Sequence, residues 1–197
     1  MRGARRFSQA ISEGDGISVI VDVGDADAAR RAETDGAEAI AVRGDVASVR
    51  GSTELPILWV ARGPLAAAAE AGADACVVSV EGFEDADGRL ERLHAEARDL
   101  GLDCVVDVRT AAELELALER IDPEIFFLSS RERDDDTIER VLELLEDVPA
   151  GKLAVAEVRV ASRDDVAELE RAGMDAVIVE PGNVAELVGA AAPAEIQ

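Results

Sequence analysis

Apolar runs of four to seven residues recur along the chain, at 17–23, 37–42, 57–61, 75–80, 104–108, 125–129, 153–158 and 176–179. Between them lie stretches in which apolar residues return every three or four positions. Runs this short and this rich in Val, Ile, Ala and Leu read as strands buried on both faces, the form parallel strands take. The intervening stretches read as amphipathic helices. Eight strand–helix units in succession predict an α/β fold, a compact single-domain (β/α)8 TIM barrel over residues 1–197, with 1–14 as an N-terminal extension or helix. Local signals agree. Thr110 and Ser162 each precede a carboxylate by three residues, at Glu113 and Asp165, which is a capping-box arrangement. Gly72, Gly101 and Gly173 stand where each helix must end in a left-handed residue before the next strand. The loops are short: Gly24-Asp25-Ala26 leads almost directly into a helix, and 43–56 leaves room for about one helical turn.

Composition narrows the classes. The chain has 197 residues, 48% of them hydrophobic, enough for one sizeable core. With 43 acidic and 20 basic residues it carries a net charge of −23, which repels phosphate backbones and anionic membranes. One Trp, four Phe and no Tyr leave little for base stacking. Neither a nucleic acid nor a membrane is therefore an expected partner. Lys152 is the sole lysine, and the acids are spread through every helix. That pattern suits a halophilic, salt-rich cytoplasm, and it predicts a fold destabilised by self-repulsion when salt is removed. An acidic interaction surface is the competing explanation. Cys76 and Cys104 fall inside apolar runs, as packing thiols of a reducing compartment do. The N-terminus has basic residues but no apolar core of a signal peptide, so a cytoplasmic location is expected.

Four stretches, in order and spacing, resemble the indole-3-glycerol phosphate synthase family of the phosphate-binding TIM barrels. Leu55-Pro-Ile-Leu58 followed by Glu70-Ala-Gly-Ala-Asp-Ala75 is similar to the family's third strand and its entry to the fourth. Residues 95–118 match the stretch around its fifth strand. Val155-Ala-Glu157 is similar to the seventh strand, and Asp165 through Val177 to the run into the eighth. The resemblance implies a carboxy-lyase of tryptophan biosynthesis, closing an indole ring on a carboxyphenylamino-deoxyribulose phosphate. It implies no cofactor and no metal.

Carried over position by position, the resemblance points to Asp22, Asp107, Ser129, Arg131 and Glu157 as catalytic candidates. Asp22 and Asp107 stand one methylene short of family glutamates, Ser129 replaces an asparagine, and Arg131 and Glu157 are retained. The family's first-strand lysine is replaced by Gly24. Its third-strand lysine, the general acid, is replaced by Val60, which cannot donate a proton. The seventh-strand phosphate turn has become Val158-Arg159. The turn after the eighth strand reads Val179-Glu180-Pro181-Gly182, adding a charge and removing an N–H. His94 falls in a helix, away from the expected site.

The strand ends carry a ring of charge. Arg43, Arg62, Arg109, Arg159, Glu180 and Gly182 are the candidates for binding a small anionic ligand at the C-terminal mouth. The ring can be read as ion pairs plugging a defunct mouth, as a re-purposed polar pocket, or as a hard-metal site built on Asp22, Asp107 and Glu157. Three functions compete accordingly: a degenerate barrel kept for binding or assembly, an enzyme of changed specificity using Asp107, Glu157 and Arg131, and the family reaction itself. Trimmed loops expose apolar rim surface, so a homodimer is a further expectation.

Overall fold

The computed structural model describes residues 6–14, 16–80, 88–130, 137–182, 184 and 187. Eight parallel strands close in chain order: β1 (Ser18–Asp22), β2 (Ala39–Val42), β3 (Ile57–Trp59), β4 (Ala75–Ser79), β5 (Asp103–Val108), β6 (Ile125–Ser129), β7 (Leu153–Glu157) and β8 (Ala176–Val179), with β8 pairing back on β1. Every strand falls on a predicted run. β1, β4 and β7 end one residue before their runs do; Val23, Val80 and Val158 stay buried there, and Val23 N and Val80 N still donate to the neighbouring strand at Ala41 O and Asp107 O.

Helices α2 (Ala26–Thr34), α3 (Ala47–Arg50), α4 (Leu65–Glu70), α5 (Arg89–Asp99), α6 (Ala111–Arg120), α7 (Thr137–Leu145) and α8 (Arg163–Ala172) follow strands β1 to β7 in turn. The short connections are as expected, with α3 a single turn and Asp25 capping α2 by accepting from Ala28 N at 2.8 Å. The Ser162–Asp165 capping box of α8 is complete. At α6 only half of the predicted box forms. Thr110 accepts from Glu113 N, but the Glu113 carboxylate accepts from Arg109 N at 2.7 Å, one residue further back. That bond ties the end of β5 to the start of α6.

The core has two compartments, as strand alternation requires. Outward residues such as Val19, Ile40, Cys76, Val106, Phe126 and Val177 pack against the helices. Inward residues fill the barrel, small Ala39, Ala41, Ala75 and Ala176 set among large Ile20, Leu58, Ile125, Phe127 and Ile178. The predicted N-terminal helix, α1 (Phe7–Ser12), plugs the floor: Phe7 and Ile11 are fully buried in the inner compartment. It is held there by Ser8 N donating to Asp103 Oδ2 at 2.8 Å.

A repeated device closes the same floor. Glu38, Asp74 and Asp175 each stand one residue before an even-numbered strand and two after a glycine with positive φ (Gly36, Gly72, Gly173). Each carboxylate accepts from the preceding strand's N–H, at Val19, Ile57 and Ala154 respectively, in every case at 2.8 Å. Each residue's own N–H donates to that same neighbour's carbonyl at 3.0–3.1 Å. Reciprocal pairs of this kind satisfy the strand-starting donors that would otherwise face the plugged floor unpaired. No described helix is long and apolar enough to cross a membrane.

Candidate functional site

The upper mouth is built from the last inward position of each strand. Alternation from the inner compartment places Asp22, Ser79, Asp107, Ser129 and Glu157 there, with Arg43 and Val60 just beyond β2 and β3. This is the face on which barrel enzymes carry their chemistry.

Two charge clusters organise it. In the first, Arg43 Nε donates to Asp22 Oδ2 at 2.6 Å and its Nη2 to Glu157 Oε1. The β2 end is thereby tied to β1 and, across β8, to β7. These side chains are partly exposed, at 44% for Arg43, 29% for Asp22 and 35% for Glu157. Burial works to lower the Arg43 pKa, but the hydrogen bond to Asp22 and the charges of Glu157 and Asp22 outweigh it. The guanidinium is held above its ordinary value.

The second cluster is deeper. Asp107 is only 5% exposed; its Oδ1 accepts from Ser129 Oγ at 2.6 Å and its Oδ2 from Arg109 Nη2 at 2.9 Å. Arg109 Nε also donates to Ser129 Oγ at 3.3 Å, closing a three-membered ring of bonds. A buried carboxylate so partnered is a satisfied structural group as well as a candidate base.

The remaining candidates separate. Arg62, Arg159, Glu180 and Gly182 are exposed, and no ion pair or hydrogen bond among the described residues joins the three charged ones to either cluster. Gly182 has φ +113°, the left-handed conformation of a turn. Arg131 lies outside the described residues. Asp22, Asp107 and Glu157 do not gather into a group suited to a metal ion; among the described residues no three acidic, His or Cys side chains do. Lys152 sits at the opposite end of the barrel, paired with Asp122 at 2.7 Å. His94 lies on α5, half-buried outside the barrel, with its pKa lowered by burial and then by Arg98.

Ser79 escaped sequence reading. Its hydroxyl is buried without a hydrogen bond among the described residues, and its Cα pairs in register with that of Asp107. The signal was available in the alternation Ala75, Val77, Ser79, which makes the serine the top inward residue of β4.

The indole-3-glycerol phosphate synthase family model matches residues 60–183, more than half of the chain. The chain belongs to that family. Among curated relatives, the indole-3-glycerol phosphate synthase of Variovorax paradoxus is 38% identical over 109 residues, covering 55% of this chain and 40% of its own length. That of a Nocardioides species is 35% identical over 144 residues, covering 68% and 53%. The chain thus spans about half the length of these relatives. Among solved structures, N-acetylmannosamine-6-phosphate 2-epimerase from Clostridium perfringens superposes with a TM-score of 0.67 at 15% identity, covering 83% of this chain and 86% of that one. A mutant tryptophan synthase alpha-subunit from Pyrococcus furiosus gives 0.66 at 15%, covering 89% and 98%. At such identities the likeness concerns the fold alone, and it is that of a (β/α)8 barrel.

Proposed function

We propose that this family member keeps the barrel without the ring-closing reaction, and that its mouth binds a small anion. One observation carries the reading: the surviving mouth acids Asp22, Asp107 and Glu157 are all held by arginines, while Val60 occupies the general-acid position. A positioned proton donor contributes a factor of about 10²–10⁴ to such a step, and valine contributes none of it. Arg62 and Arg159, exposed on the rim outside both clusters, supply bidentate forks for a carboxylate or phosphate. The acidic, lysine-poor composition supports work in a salt-rich cytosol.

A second reading, an enzyme of changed specificity, draws on Ser79. A buried hydroxyl beside Asp107 with no partner among the described residues is the kind of group a bound ligand completes.

The test is an assay in molar potassium chloride, with the carboxyphenylamino-deoxyribulose phosphate as substrate and indole fluorescence as readout. No turnover above the buffer rate is expected. Turnover abolished by Asp107→Asn or Glu157→Gln would overturn the proposal, because the reaction would then run without either family lysine.

A further inference from the structure

Two thiols meet on the outer face of the sheet, in a place the mouth chemistry does not use. Cys76 and Cys104 are Cα partners in the parallel ladder of β4 and β5. Both face the same helix-side core, Cys76 fully buried and Cys104 partly exposed. Neighbouring strands run about 4.7–4.9 Å apart, inside the roughly 4.4–6.8 Å between Cα atoms that a disulfide spans. The Cys104 thiol shares a hydrogen bond with Cys76; that contact, with burial, pushes its pKa up. The reduced pair therefore rests protonated and reacts slowly.

We propose that Cys76 and Cys104 form a redox-closable pair, which low-molecular-weight disulfides convert into an intramolecular disulfide stapling β4 to β5. Cys104, the accessible member, loses its proton and attacks one sulfur of the reagent disulfide RSSR. The other sulfur leaves and takes up a proton as RSH. Cys76 then attacks the Cys104 sulfur of the mixed disulfide, expelling the second RSH. The protein gives up two protons and two electrons, and these reduce the reagent's S–S bond to two thiols. The new bond closes the β4–α5–β5 segment into a covalent loop. Three residues further up the same strands stand Ser79 and Asp107, so oxidation fixes one wall of the mouth from below.

The test treats the native chain with excess oxidised glutathione near the ordinary thiol pKa of about 8.5, in molar potassium chloride. The expected product has lost two hydrogens, retains no glutathione, and yields one peptide linking Cys76 to Cys104. Closing a loop of this length raises the melting temperature by roughly 5–15 °C, and dithiothreitol reverses the rise. Cys76→Ser should stop at a glutathione adduct on Cys104. Four results overturn the proposal: a stable adduct on the wild-type chain, a disulfide between chains, thiols that react only after denaturation, or a linked product whose melting temperature has not moved.

Discussion

The two ends of this barrel use the same residue types in opposite ways. At the floor, carboxylates bond to backbone: Glu38, Asp74 and Asp175 each close a two-bond ring with the strand before them. At the mouth, the carboxylates bond to arginine side chains: Asp22 and Glu157 to Arg43, which reaches from the end of β2, and Asp107 to Arg109 at the end of its own strand. A backbone donor is fixed by the fold and has few alternatives, so its loss leaves an unpaired group. A guanidinium on a flexible stem can turn to water or to a ligand. The floor is accordingly a stability device, and the mouth a set of exchangeable contacts on the face where barrels do their chemistry.

The comparison can be broken most directly at Asp74. This carboxylate holds the Ile57 N–H and the Arg50 guanidinium, the latter at 3.0 Å. Arg50 in turn donates to the carbonyls of Thr53 and Leu55, and its stem packs where a Cβ on Gly72 would stand. Asp74→Ala strands a buried N–H and uncouples the arginine. A loss of about 2–4 kcal/mol is expected, a fall in melting temperature of roughly 5–15 °C. Denaturant unfolding that gave under 1 kcal/mol would remove the distinction between floor and mouth.

A smaller effect tests the same floor through pH. Burial raises the pKa of Asp175 above the ordinary aspartate value, against the opposing hydrogen bonds from Ala154 and its own backbone; Asp74 is raised by burial likewise. The folded chain therefore binds more protons than the unfolded chain between about 3.9 and the raised folded value. Their contribution is fully present below the unfolded value and is lost as pH rises through the folded one. Asp175→Asn keeps an oxygen for Ala154 N and does not titrate. The wild-type melting temperature minus that of Asp175→Asn should shrink as pH climbs through this interval. A difference constant with pH would contradict the assignment.

The floor was also the more legible end. Gly-x-acid before a strand is visible in 36–38, 72–74 and 173–175, and the eight apolar runs placed every strand, because both signals are local in sequence. The mouth residues could be placed at strand ends, but their partners could not. Arg43 and Glu157 are 114 positions apart and meet only because closure brings β2 and β7 to one rim. Glu113 looked like a capping residue for Thr110 and instead bonds to Arg109 N, since the chain turns tightly from β5 into α6. The floor plug formed by Phe7 and Ile11 was invisible for the same reason as the mouth pairs: nothing near residue 7 shows that the barrel interior is waiting for it.

The smallest expected effect is the sharpest test of the mouth. Arg43→Ala removes both ion pairs of the outer cluster at once, yet its three side chains are each partly exposed. Each pair in such a setting contributes about 0–1 kcal/mol, so the loss of both should lower the melting temperature by no more than roughly 8 °C. A double-mutant cycle of Arg43 with Asp22 should give a smaller coupling than the matching cycle of Arg50 with Asp74 on the floor. The reverse order would make Arg43 a structural tie across the rim. Its guanidinium would then be unavailable to a ligand, and the anion-binding mouth would have to rest on Arg62 and Arg159 alone.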